Sequence, residues 1–327
     1  MEKSRDGGGD WKTVEDGACH WCMKNNTTNI EHKGYSSREA RIRLTPKCNY
    51  RCYFCHEEGG CQAPAAIWES LRALLLALKT QGRREITFTG GEPLLNKPVL
   101  LKALAEIASW DAQPVVTLIT NAVLLDESVI AALEKCRSAK VHVSIHDPRT
   151  PQYQLVTGQS RRSADELRPI LRRLSSGPVH LKLNAVVTDG LAGEGGGFDA
   201  ILDYARDVGA GTVKFVELFE TKDAAGWPQK AVPVAELDAR FAAEGFVLFR
   251  RTLRTSYWRT PSGLVLETTR CACALGCEHC EATHGDFFTG GTHFHPCFLA
   301  EKAIAMEGRT LEEVEQYFTT GKMPEKK

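Results

Sequence analysis

From Arg41 onward the chain alternates short apolar or β-branched runs with longer stretches whose apolar residues recur at helical spacing. The runs Arg41–Thr45, Glu85–Thr89, Val115–Thr120, Val141–Ile145, Val179–Val187 and Thr212–Glu217 predict strands. Between them, residues near 65–80, 98–109, 126–137, 163–175 and 198–208 predict helices, with Asp126 and Ser163 as N-caps and Gly209 as a stop. Strands separated by helices build a parallel sheet, because parallel neighbours need a long crossover. Six such units fall short of a closed eight-unit barrel. The expected fold is therefore α/β, a partial (β/α)6 TIM-like barrel over 39–220. Residues 1–38 are polar and read as an N-terminal extension, while 221–327, where the alternation fades, read as a cysteine-rich C-terminal module. In such sheets ligands bind at the carboxyl ends of the strands.

Composition narrows the partners. Lys+Arg and Asp+Glu are both 41, so no global charge points to nucleic acid or a membrane surface. No apolar run approaches the ~20 residues of a spanning helix, and even Leu71–Leu78 is too short. The polar start carries no secretory signal, so a cytoplasmic protein is expected. Twelve cysteines in such a chain point to metal ligands before disulfides. Three cluster at 48–55, five crowd into 271–297, and Cys19 and Cys22 form a pair near the start. Cys61 stands apart, and Cys136, at the end of a predicted helix, reads as a small buried hydrophobe.

Cys48-x3-Cys52-x2-Cys55 places three thiolates on one tight loop after the first strand, enough for three irons of a [4Fe–4S] cube with the fourth iron open to a ligand. Zinc is the alternative, but a structural zinc site takes four protein ligands. Gly90-Gly91-Glu92-Pro93 follows the second strand, so both motifs fall on the carboxyl rim. A second set, Cys277-x2-Cys280-x16-Cys297, again offers three thiolates, with Cys271 and Cys273 as possible further ligands and zinc as the alternative.

The run from Cys48 to Cys55 with Gly90-Gly91-Glu92-Pro93 resembles the radical S-adenosylmethionine (radical SAM) enzymes. The resemblance implies that Cys48, Cys52 and Cys55 hold a catalytic cluster whose open iron chelates S-adenosylmethionine. It also implies that Gly90, Gly91 and Pro93 shape the methionine pocket and that Glu92 pairs with the ammonium. Phe54 matches the aromatic beside the adenine, and Thr120, Asn121, Ser144 and His146 resemble further pocket positions; each of these four is equally an ordinary strand-end turn polar.

From Arg41 to about Glu301 the chain resembles the GTP 3′,8-cyclase family of molybdenum cofactor biosynthesis. The residues that carry this are Leu118–Asn121, Val143–Asp147, Leu155–Gly158, Lys182–Val187, Lys214–Glu217 and His295–Phe298. The resemblance implies two [4Fe–4S] clusters, S-adenosylmethionine, a reduced flavodoxin or ferredoxin-type electron donor and a small nucleotide held between the clusters. Arg41 matches a substrate-reading arginine, and Lys182, Lys214, Glu217 and Arg270 are expected near the substrate from their strand-end positions. The chain departs from the family at Ala282 and His284, where arginines are usual, at Asn96-Lys97, and at its end, Met323 to Lys327. A triphosphate needs several cationic forks, so these departures favour a less phosphorylated nucleotide, a nucleoside or a sugar. The expected activity is hydrogen abstraction by a 5′-deoxyadenosyl radical followed by cyclisation or rearrangement. A peptide-modifying maturase and a non-catalytic metal-binding protein are the alternatives.

Overall fold

The computed structural model describes residues 39–55, 65–193, 195–218, 225–270, 286–295, 304–305, 310, 313 and 316. The predicted alternation appears as β1 (Glu39–Arg43), α1 (Trp68–Thr80), β2 (Glu85–Thr89), α2 (Lys97–Ala108), β3 (Val115–Thr120), α3 (Glu127–Glu134) and β4 (Ala139–Ser144). It continues through α4 (Thr150–Thr157), α5 (Arg168–Ser175), β5 (His180–Val187), the short α6 (Asp189–Ala192), α7 (Gly197–Asp207) and β6 (Thr212–Glu217). Strands β1 to β6 pair in sequence order and all in parallel. Right-handed crossovers with no reversal of strand order keep their helices on one face. That face is the apolar core: Ile42, Phe88, Leu118, Val141, Leu183 and Phe215 are buried beneath helix residues such as Leu71, Leu104 and Ile201. The alternate residues of the same strands form a polar face.

The ends of several helices follow local rules. Asp126 caps α3 by accepting from Val129 N at 3.2 Å. Ser163 forms a capping box with Glu166, but the helix expected over 163–175 is split into a 3-10 turn, Ala164–Leu167, and α5. Pro169 in the first turn of α5 lacks the N–H that would join the two. Residues 150–157, where no helix was expected, form α4, with Pro151 at its start and Gly158 (φ +65°) at its left-handed C-cap.

The sheet does not stop at the six strands expected over 39–220. After α8 (Val234–Ala243), the strands β7 (Val247–Arg251), β8 (Thr255–Arg259) and β9 (Val265–Thr269) form an antiparallel meander whose last member lies parallel to β6. At the opposite edge β10 (Asp286–Thr289) runs parallel to β1, and β11 (His293–His295) and β12 (Ile304–Ala305) follow antiparallel. The order β12-β11-β10-β1-β2-β3-β4-β5-β6-β9-β8-β7 makes one 12-stranded sheet. Among the described residues no helix is long and apolar enough to cross a membrane.

Candidate active site

The carboxyl ends of β1 to β4 meet at one rim. After β1 the chain turns through Thr45-Pro46-Lys47 into the cysteine loop, and after β2 it turns through Gly90-Gly91-Glu92. Leu44 N donates to Thr89 O (2.9 Å), Gly91 N to Thr45 O (2.8 Å) and Glu92 N to Lys47 O (2.7 Å), so the two loops zip together beyond the strands. Glycine is required here: a Cβ on Gly90 would lie 2.7 Å from Thr45 O, and one on Gly91 only 2.3 Å from Lys47 O. The sequence reading gave these glycines to a ligand's approach. The contact they permit within the protein is with the backbone that leads into Cys48.

Glu92 is 1% exposed and caps the 3-10 turn Pro93–Asn96. Its Oε1 accepts from Leu94 N (3.1 Å) and Thr120 Oγ1 (2.6 Å), and its Oε2 from Asn121 N (2.8 Å). These three bonds spend most of a carboxylate's roughly four acceptor sites and leave one on Oε2. Burial nonetheless pushes the Glu92 carboxyl above its ordinary value. Thr120 also accepts from Ala122 N, and Asn121 donates through Nδ2 to Asn49 Oδ1 at 2.7 Å. Both therefore hold Glu92 and the cysteine loop in place, a role the sequence could not pair because the partners are far apart in the chain.

The loop is braced from below. Arg51 N donates to Thr157 O (3.0 Å) at the end of α4, Gln159 Nε2 to Asn49 O (3.0 Å), and Tyr50 and Tyr153 share a buried O–H···O bond of 2.5 Å. Cys48 and Cys55 are exposed and Cys52 is partly buried. Burial, then the nearby Cys55 and Cys48, push the Cys52 thiol up to about 12, and burial raises Cys48 as well. Cys48 and Cys52, thiols that resist ionising and stand beside Cys55 on one loop, fit a cationic iron centre that would compensate them. Among the described residues no three His, Cys, Asp or Glu side chains converge as a single ion requires.

Phe54 is buried with Val156 and Leu218, and its ring stands edge-on to His146 at 4.8 Å. His146 Nδ1 accepts from Val186 N at 3.2 Å, which leaves the proton on Nε2, and burial lowers its pKa to about 4. Ser144 lies on the polar face at the end of β4, beside Asn184 in the register.

Arg41, Lys182 and Lys214 come together on the polar face, with His142 and Asn184 between them in the strand registers. Lys182 Nζ pairs with Glu267 of β9 at 2.6 Å. Burial and then the neighbouring Lys182 lower Lys214 to about 8; burial, followed by Lys182, Lys214, Lys140 and Arg41, holds His142 well below its ordinary range. Asn184 Oδ1 is buried with no hydrogen-bond partner. His142, Asn184 and the fully buried Arg43 escaped the sequence reading, although their two-residue spacing from Ser144, Lys182 and Arg41 was the available signal. Glu217 falls on the helix-facing alternation of β6, with Val213 and Phe215, and Arg270 lies against α8; neither shares the face of Lys182 and Lys214. Lys97 is taken by Asp126 at 2.6 Å. The expected ligands Cys271, Cys273, Cys277, Cys280 and Cys297, together with Cys19, Cys22 and Cys61, lie outside the described residues.

A family model described as the Radical SAM superfamily matches residues 42–194, which carry both rim motifs. Residues 42–194 form a radical SAM domain. Its cofactors are S-adenosylmethionine and at least one [4Fe–4S] cluster. This radical SAM chain is 26% identical over 284 residues to the "Probable GTP 3′,8-cyclase" of Archaeoglobus fulgidus, a match spanning 84% of this chain and 90% of that protein. It is 30% identical over 167 residues to the GTP 3′,8-cyclase of Streptomyces coelicolor, covering 50% of this chain and 48% of the relative. Among solved structures, Streptococcus suis SuiB bound to S-adenosylmethionine superposes with a TM-score of 0.65 at 17% identity, over 87% of this chain and 67% of that one. SuiB bound to its precursor peptide SuiA gives 0.63 at 14% identity, over 86% of this chain and 64% of that chain, so the radical SAM chain described here spans just under two thirds of it. The SuiB likeness is one of fold.

Proposed function

We propose that this enzyme abstracts a hydrogen atom from a nucleotide-, nucleoside- or sugar-like substrate, which then cyclises or rearranges. The observation that carries the reading is the polar face beneath the cysteine loop. Arg41, Lys182, Lys214, His142 and the unpaired Asn184 Oδ1 offer a small polar molecule cationic donors, a neutral imidazole and a free acceptor. The overall similarity to proteins named GTP 3′,8-cyclase points the same way. The unbroken strand order supports a partial barrel that encloses this face.

Cys48, Cys52 and Cys55 would hold the cluster, and Glu92, through its remaining Oε2 acceptor site, the ammonium of S-adenosylmethionine. When bound, cluster and S-adenosylmethionine supply reductive C–S cleavage to a 5′-deoxyadenosyl radical. The chain's own work is to fix Glu92 through Thr120 and Asn121, to wall the pocket with Phe54 and His146, and to hold the substrate on the polar face. A second cluster is part of the proposal. Phe287 pairs with His295, so the chain enters and leaves the β10–β11 hairpin at one point, with Cys280 shortly before it in sequence and Cys297 shortly after. A reduced flavodoxin or ferredoxin-type protein would deliver the electron.

The test is an anaerobic reaction of the cluster-loaded protein with S-adenosylmethionine and reductant, offered GTP, nucleoside monophosphates, nucleosides and sugars in turn. One of these is expected to accelerate formation of 5′-deoxyadenosine and yield a new product. If none does and a peptide does, the substrate assignment is overturned and the maturase reading takes its place.

A further inference from the structure

Outboard of the polar face, between the first turns of α8 and the β7–β8 turn, lies a cavity of about 390 Å³. Strand alternation separates it from the substrate face. Glu267 pairs with Lys214 across β9 and β6, whereas Ser256 and Thr268 point the other way and donate to Asp238 of α8 at 3.0 and 2.6 Å. Three arginines, Arg251, Arg254 and Arg270, line the cavity against one acidic residue, Asp238, among the described residues.

Asp238 is already committed. Besides Ser256 and Thr268 it accepts from Trp258 Nε1 at 2.7 Å, while the Arg251 guanidinium stands 3.8 Å off. The arginines are anchored without being used up. Arg251 Nε donates to Ser256 Oγ (3.2 Å), and Arg254 Nε and Nη2 donate to Arg270 O (3.3 and 3.2 Å). Nη1 of Arg251 and of Arg254 and the Arg270 guanidinium have no hydrogen-bond partner among the described residues. Like-charged forks fixed around one cavity repel, and an anion between them removes that cost. Their donors outnumber the two oxygens of a carboxylate but suit the three of a phosphate ester. Val234 and the exposed Leu253 add an apolar wall for an organic remainder.

We propose that this cavity binds a small phosphorylated molecule, its phosphate held by Arg251, Arg254 and Arg270. Neither the cysteine loop nor the polar face contributes a lining residue, although the charge of Arg254 is felt at Lys214.

The experiment uses the cluster-loaded protein, ribose 5-phosphate as probe and ribose as control. Arginines are modified with phenylglyoxal and mapped by peptide mass. Ribose 5-phosphate, but not ribose, is expected to shield Arg254 and Arg270. By calorimetry, Arg254→Gln and Arg251→Gln are each expected to weaken binding at least about tenfold while Lys214→Met leaves it unchanged. The shielding assay needs no variant, so misfolding of the hairpin cannot mask the answer. The proposal is overturned by equal modification with and without ribose 5-phosphate, or by binding that survives Arg254→Gln and disappears in Lys214→Met.

Discussion

The rim around Glu92 and the polar face below it are built on opposite principles. At the rim the donors and acceptors meet within the protein: Glu92 takes Leu94, Thr120 and Asn121, Asn121 takes Asn49, and two glycines bring the loops to hydrogen-bonding distance. On the polar face Lys182 is paired, but Lys214 is lowered toward neutrality among other cations and Asn184 Oδ1 has no partner. A fully satisfied network fixes one geometry. An unsatisfied one keeps capacity for a ligand at the expense of stability. The rim is therefore scaffold with a single open acceptor site, on Glu92 Oε2, and the polar face is receptor.

The largest effect should come from breaking the scaffold. Gly91→Ala drives a methyl into Lys47 O and is expected to lower S-adenosylmethionine cleavage by about 100-fold or more, with reduced iron content after reconstitution. Retained iron and activity would show that the rim tolerates displacement. Next is Glu92→Gln, whose amide nitrogen would face groups that are all donors; it should cost about 1–3 kcal/mol of stability as well as weaken S-adenosylmethionine binding.

Glu92 also sets a pH dependence. Its folded pKa is raised, so the native state holds a proton that the unfolded chain has released, and its contribution to stability is lost as pH rises through the folded value. S-adenosylmethionine brings a positive charge and binds the ionised carboxylate, so its affinity should increase with pH over that window in the wild type and stay flat in Glu92→Gln. Calorimetry across pH checks the slope.

On the receptor side the sign reverses. The folded Lys214 loses its proton near 8 while the unfolded lysine keeps its own to about 10.4, so stability rises with pH across that interval. An anionic substrate needs the charged form, and its affinity should fall as pH passes about 8, by up to tenfold per unit. Asn184→Ala should separate the two principles most cleanly, with turnover reduced and the melting temperature nearly unchanged, because the acceptor removed had no partner. The smallest effect is expected from Tyr153→Phe, which deletes the bond to Tyr50 under the cysteine loop and should cost about 1 kcal/mol, read as a melting shift of a few degrees.

Much of this was legible in the chain. The strands β1 to β6 announce themselves because their helix-facing residues are apolar, and the cysteine spacing with Gly-Gly-Glu-Pro marks the rim. The meander β7–β9 was missed because its polar residues, such as Arg250, Arg251, Thr255, Glu267 and Thr268, break the apolar pattern, so it was folded into the C-terminal module. The α4 helix was missed although Pro151 and Gly158 bracket it, since only Tyr153, Val156 and Thr157 are buried between them. The roles of Thr120 and Asn121 were hidden for another reason: their partners, Glu92 and Asn49, are brought to them only by the fold.

The placement of β10 has a consequence for biogenesis. The strand that leads into Cys48 acquires its second neighbour only from residues 286–289, and Gly290 N closes the pair on Arg43 O at 2.9 Å. During synthesis β1 therefore stays a sheet edge until residues 286–289 have emerged, and that pairing closes a loop of high sequence separation. The cysteine loop therefore stands on a strand anchored on one side only until β10 has been made and docked.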